Sequence, residues 1–144
     1  LSADAYYELG KLGFGTQMAE GTQVTSLSLN TAGDMLGDVS VRQALEYATD
    51  NTVISEYVYG SLQKPASSYF ADSVTLTQTG TDGYPYQPEK AAEILELAGW
   101  NLESGSDYRT KDGVSLEVDM LLFLKMEKIS GWCFRNSIKK WGSN

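Results

Sequence analysis

The chain has 144 residues, 42% of them hydrophobic, with 19 acidic against 11 basic side chains, one cysteine and no histidine. A length near 150 residues allows one core, perhaps with a loose extension, that buries about two thirds of the unfolded surface. Without histidine there is no Ser-His-Asp triad, no Cys-His dyad and no imidazole-ligated zinc, and the lone Cys133 makes neither an internal disulfide nor a cysteine-rich metal site.

The net charge of -8 argues against nucleic acid, which needs clustered Lys and Arg to release counterions from phosphate. No run reaches the roughly 20 apolar residues of a membrane span, and Leu1-Ser2-Ala3-Asp4 lacks the basic flank and apolar core of a signal segment. The charge is unevenly spread, with a net of -12 over residues 1–123 and +4 over 124–144. That final stretch also holds Trp132, Cys133 and Trp141 and lacks clean periodicity. It reads either as a basic amphipathic segment for an acidic partner or lipid surface, or as an atypical terminus.

In chain order, Ala5, Leu9 and Leu12 lie at helical spacing, with Ser2 or Asp4 as N-cap and Gly13 as stop. Gly10, Gly13, Gly15 and Gly21 then loosen the chain before Thr22–Asn30, whose β-prone Val24, Thr25, Leu27 and Leu29 predict a strand. Asp34–Asp38 reads as a turn, with Asp38 capping a helix whose Val41, Ala44, Leu45 and Ala48 form one buried stripe. Asp38 and Arg42 are spaced to pair on its first turn. Asp50 restarts a helix with Val53, Ile54, Tyr57 and Val58 apolar and Gly60 as its end.

Residues 61–87 carry Pro65, Gly80, Gly83, Pro85 and many hydroxyl residues, so a long irregular connection is expected. Its rings, Tyr69, Phe70, Tyr84 and Tyr86, either line a binding surface or pin the loop to the core. Pro88 suits the first helical position, Glu89 the positive end of the dipole, and Ala91, Ile94, Leu95 and Ala98 the buried face. Gly99 takes C′ and Trp100 closes on Leu95 in a Schellman arrangement. Asp107–Thr110 and Val114–Leu122 read as strands about a Lys111-Asp112-Gly113 turn, with Leu116, Val118, Met120 and Leu122 on the buried side. The fold class is therefore a mixed α/β one.

Carboxylate pairs at Asp34/Asp38, Glu89/Glu93 and Glu117/Asp119 have the composition that glycosidase or divalent-metal chemistry uses. Their positions explain them more simply, as helix caps, a solvent face and the polar side of a strand. No dinucleotide, P-loop or calcium-loop pattern occurs. The residues describe an acidic α/β domain and not an enzyme.

The series Leu27-Ser28-Leu29-Asn30-Thr31, then residues 38–50 from Asp38 to Asp50, Gly60, Pro65-Ala66, Tyr86-Gln87-Pro88-Glu89-Lys90-Ala91 and Ala98-Gly99-Trp100 resembles the extracytoplasmic solute-binding proteins, family 5, that serve peptide and nickel ATP-binding-cassette importers. It spans about 100 of the 144 residues in order. The Gly105-x-Asp107-x-Arg109 spacing is more similar to the nickel-binding branch. The resemblance implies two lobes that enclose a solute by hinge closure, with residues 1–30 ending the first lobe and supplying a crossing strand. Residues 31–123 would start the second lobe, and 124–144 depart from the pattern.

Asp38, Arg42, Asp50, Pro88, Gly99 and Trp100 match family-motif positions and read as structural, not as ligand contacts. Gln87 departs from the family's usual aspartate cap. The resemblance further implies importer membrane subunits as partners, a nickel chelate or peptide as transported solute, no resident cofactor, and a periplasmic or extracellular place with a lipoprotein anchor in full-length members. A family member runs to several hundred residues, so this chain reads as a truncated or excised piece, by internal deletion or a frame change near Leu124. A folded remnant or interaction module with no transported ligand is the reading of another class.

Overall fold

The computed structural model describes residues 2–74 and 82–120. Expectations for the basic stretch 124–144, for Cys133 and for the end of the last strand lie outside the described residues. The chain divides into two compact units, unit 1 from Leu1–Leu27 with Asn51–Gly83 and unit 2 from Ser28–Asp50 with Tyr84–Asn144.

In unit 1, helix α1 spans Ala3–Lys11. Ser2 is its N-cap, the hydroxyl accepting the Ala5 N–H at 3.3 Å, and Gly13 follows at a φ of 83°. The Tyr7 hydroxyl donates to Gly60 O at 2.8 Å, and a Cβ on Gly60 would stand 2.8 Å from that of Ala3. Gly60 has a φ of 56°, so the left-handed backbone and the close approach of α1 both require glycine there.

The expected strand at Thr22–Asn30 is not formed. A strand exists only by pairing, and among the described residues the one three-stranded sheet is drawn from residues 101–115, so Val24 and Leu27 have β propensity without a neighbour. Tyr59 Oη lies 3.4 Å from Thr25 Oγ1, and Ser73 donates to Gly21 O at 2.8 Å, which ties this stretch down by side chains instead. Helix α4, Asn51–Tyr59, begins directly after Asp50 and ends at Gly60 as expected. Of its four apolar residues, Ile54 and Val58 are half-buried and Val53 and Tyr57 exposed, and the residue it buries fully is Ser55, whose hydroxyl donates to Gln63 O.

In unit 2, Asp34–Gly37 is a four-residue helix, α2, and not merely a turn. Asp38 separates it from helix α3, Val39–Ala48, and caps α3 by accepting the Ser40 N–H at 2.9 Å. The predicted stripe Val41, Ala44, Leu45 and Ala48 is buried as a whole. It packs against helix α5, Pro88–Leu97, through Ala91 and Leu95, and Trp100 completes the core. Alanines at facing positions let the two helices approach closely, and the larger Val41 and Leu95 fill what remains.

Pro88 opens α5 as predicted, and Gln87 supplies no side-chain cap. The Trp100 N–H reaches Leu95 O at 2.8 Å and the Gly99 N–H reaches Glu96 O at 3.0 Å, with Gly99 at a φ of 88°. This is the predicted Schellman closure, and it turns the chain into strands β1, Asn101–Leu102, β2, Arg109–Lys111, and β3, Val114–Ser115. Lys111 pairs with Val114 around Asp112 and Gly113, both at positive φ, which is the type I′ requirement. The last strand is shorter than expected, ending at Ser115, although Leu116 still packs on the core.

Candidate functional site

The outward side of α3 carries Val39, Arg42, Gln43 and Glu46 at i, i+3, i+4 and i+7, opposite the buried stripe. With Leu29 and Tyr84 they line an open depression of about 260 Å³ in unit 2. Tyr84 is brought there by the end of the long connection. The Gln87 N–H donates to Tyr47 O at 2.8 Å, and the Tyr84 ring meets the Tyr47 ring edge-on, centroids 5.0 Å apart. Lys90 places its ammonium 4.4 Å from the Tyr47 ring centroid, holding the start of α5 to the same aromatic pair.

The Arg42 guanidinium is fixed, but not by Asp38. Its Nη1 donates to Leu36 O and Gly37 O, each at 2.8 Å, because the end of α2 presents carbonyls that the short helix leaves unpaired. Asp38 instead faces Lys111, Oδ2 to Nζ 3.7 Å, and the expected Asp38–Arg42 pair is replaced by these two contacts. The depression thus offers one cation, one carboxylate, an amide and a phenol beside two apolar side chains, Leu29 and Val39. The charged and hydrogen-bonding groups of this lining are of the kind that meet small polar solutes. No group of three or more His, Cys, Asp or Glu among the described residues is placed to hold a metal ion.

Of the six family-motif positions, Arg42 alone lines the depression, where it is joined by the loop ring Tyr84. Asp38, Pro88, Gly99 and Trp100 sit at helix ends, and Asp50 precedes α4. Lys111 lays its aliphatic stem 3.6 Å from where a Gly99 Cβ would be and its ammonium 5.8 Å from the Trp100 ring centroid. Arg109 is buried, its Nη1 donating to Trp100 O at 3.0 Å and its two terminal nitrogens each 3.3 Å from Glu96 Oε1. Among the described residues, Trp100 Nε1 and Arg109 Nε are buried without an acceptor, so the indole contributes by packing.

The four loop rings divide. Tyr69 meets Phe70 at 5.4 Å in unit 1, Tyr84 joins the depression in unit 2, and Tyr86 stays exposed. Gln43, Glu46 and Leu29 were not foreseen as a lining; the signal was the polar stripe of α3, which by itself is what any solvent-facing helix side shows.

In unit 1 the exposed Glu20 and Lys64 form an ion pair. The hydrogen bond from Lys64 holds the Glu20 carboxyl below the usual range, and the hydrogen bond to Glu20 raises Lys64, with Asp72 adding slightly.

The family model "Bacterial extracellular solute-binding proteins, family 5 Middle" matches residues 2–126. The nickel-binding periplasmic protein of Escherichia coli is 37% identical over 106 residues, which is 73% of this chain and 20% of that protein. The oligopeptide-binding protein OppA of Lactococcus lactis is 30% identical over 95 residues, 65% of this chain and 16% of that one. Among solved structures, NikA from Brucella suis, in complex with Fe(III)-EDTA, superposes on the whole chain with a TM-score of 0.86 at 30% identity. This chain covers 30% of that one.

Proposed function

Because this chain belongs to the bacterial extracellular solute-binding proteins, family 5, we propose that it is part of the solute-binding component of an ATP-binding-cassette importer whose solute is nickel held as a chelate. The fold is a partial lobe of a periplasmic-binding-protein-like architecture. The observation that carries the nickel reading is the 37% identity to a protein named for binding nickel, over 73% of this chain. The chelate follows from the donors. Nickel favours imidazole and other nitrogen ligands, and the chain has no histidine to offer. A chelate brings its own ligand atoms and asks the protein only for shape, charge and hydrogen bonds, and the Brucella relative is in complex with such a species.

On this reading residues 1–30 end one lobe and cross to the next, residues 31–123 open the second lobe, and the partners are the importer's membrane subunits. The protein works outside the cytoplasmic membrane, where the Escherichia coli relative is placed by its name, and carries out no catalysis. No described helix is long and apolar enough to cross a membrane.

A second reading, an oligopeptide as solute, is favoured by the likeness to OppA. Calorimetry separates the two. The chain is grafted in place of the matching segment of the Escherichia coli protein and titrated with nickel, a nickel–histidine chelate and a mixed peptide pool. Heat for the chelate is expected, and heat for the peptide pool alone overturns the nickel assignment. The isolated chain should be silent to all three, because an open depression on one wall encloses nothing.

A further inference from the structure

The chain holds two Asp-Gly pairs, Asp82-Gly83 and Asp112-Gly113. In such a pair no Cβ shields the glycine nitrogen, and that nitrogen stands one five-membered ring away from the aspartate side-chain carboxyl carbon. The second pair forms the turn between β2 and β3, with both residues exposed. Among the described residues the Asp112 carboxylate has no ion-pair or hydrogen-bond partner and the Gly113 N–H has no acceptor, so neither reacting group is held by another contact. A Cβ on Gly113 would meet nothing, whereas one on Gly83 would stand 3.2 Å from the Ser67 backbone. Asp112 has a φ of 51°, in the left-handed region that an L residue enters at a cost and a D residue prefers. Asp82 has no positive φ.

We propose that Asp112-Gly113 is a site of spontaneous backbone modification, and that the handedness of its turn selects D-aspartate as the form that accumulates in the folded chain. The Gly113 nitrogen attacks Cγ of the protonated Asp112 carboxyl. The N–Cγ bond forms, the amide proton and the carboxyl hydroxyl leave as water, and a five-membered imide results. Loss and return of its acidic Cα proton inverts that carbon. Water then opens the ring: cleavage of N–Cγ gives aspartate, and cleavage between the nitrogen and the former backbone carbonyl gives isoaspartate. One water leaves, one enters, and nothing is oxidised or reduced. Isoaspartate adds a carbon to the backbone, so the pairings Thr110 with Ser115 and Lys111 with Val114 lose their register, and Lys111 is drawn from Asp38 and the Trp100 ring. D-Aspartate keeps the chain length and relaxes where the L residue is strained. Each product closes again to the imide, so repeated cycles collect the chain in the form that the turn holds best.

The full chain is incubated in heavy-oxygen water, folded in buffer or unfolded in urea, and then digested. The Asp112 and Asp82 peptides are compared by chromatography and mass spectrometry with synthetic standards of all the isomers. Label at Asp112 is expected in buffer, with a D-aspartate share roughly fivefold above that in urea, and Asp82 should show no such rise. Asp112→Gly, which a type I′ turn accepts, should abolish the label at this position and leave the far-UV circular dichroism unchanged. An unlabelled Asp112 in buffer overturns the proposal. The same isomer mixture at Asp112 in buffer and in urea also does, as does a D-aspartate rise at Asp82 equal to that at Asp112.

Discussion

Helices α3 and α4 are successive in the chain, separated only by Thr49 and Asp50, and α4 is on average the more hydrophobic. Yet α3 buries four apolar residues and α4 buries one serine. The difference lies in the partner. In α3 the apolar positions fall at i, i+3, i+4 and i+7 and meet the matching stripe of α5, so each buried side chain is paid for by its neighbour. In α4 Val53, Ile54, Tyr57 and Val58 also share one face, yet among the described residues of unit 1 none of them is buried beyond half. Periodicity gives a helix an apolar face, and only a matching stripe on a second element buries it.

The sharpest way to break this comparison is to remove the centre of the α3–α5 contact. Leu95 is wholly buried, and Leu95→Ala should cost about 2–5 kcal/mol in chemical denaturation followed by far-UV circular dichroism. Tyr57→Ser in α4, read the same way, should fall within about 0.5 kcal/mol. Similar losses for the two would mean that α4 is packed as well as α3.

Next comes the backbone at the end of α5. A Cβ on Gly99 would find only the Lys111 stem at 3.6 Å, an ordinary contact, so the penalty comes from the positive φ and not from crowding. Gly99→Val is expected to cost roughly 1–2 kcal/mol, and Gly99→Asn much less, since Asn visits that region routinely. Asp38→Ala follows, at about 1 kcal/mol for the lost cap, with Asp38→Ser restoring most of it.

The smallest effect belongs to unit 1. Glu20 is depressed, so the pair's contribution is present above the ordinary carboxylate range and lost as pH falls through the lowered value. Lys64 is raised, so the same contribution holds below the ordinary lysine range and is lost as pH rises through the elevated one. Both side chains are exposed and screened, so Glu20→Gln should flatten a shallow acid limb in exchange rates near Lys64, and salt should mask it.

The same contrasts separate what local sequence dictates from what tertiary packing decides. Helix α5 was readable almost atom by atom, because Pro88, Gly99 and Trp100 act within one turn of the positions they cap. The α3 stripe was readable for the same reason. The strand expected at Thr22–Asn30 failed because pairing depends on a neighbour that propensity cannot supply. Arg42 found α2 carbonyls and Asp38 found Lys111, because a four-residue helix ending beside α3 and a hairpin folding back on it are tertiary facts. The depression was half visible: Tyr84 stood out as a loop aromatic, and only its contact with Tyr47 carries it to Arg42 and Glu46.

The hydrogen bond from the Gln87 N–H to Tyr47 O joins the end of α3 to the start of α5 and closes everything from Thr49 to Gln87 into a loop with fixed feet. The entropy of closing a flexible loop grows only logarithmically, about 0.6 kcal/mol for each doubling of its length. Unit 2 is therefore nearly indifferent to how much chain hangs between its two halves, and a short Gly-Ser bridge in place of residues 51–83 should leave α3 on α5 intact. The connection between α3 and α5 is in this sense an insertion site, whose length can change at little cost to the core of unit 2.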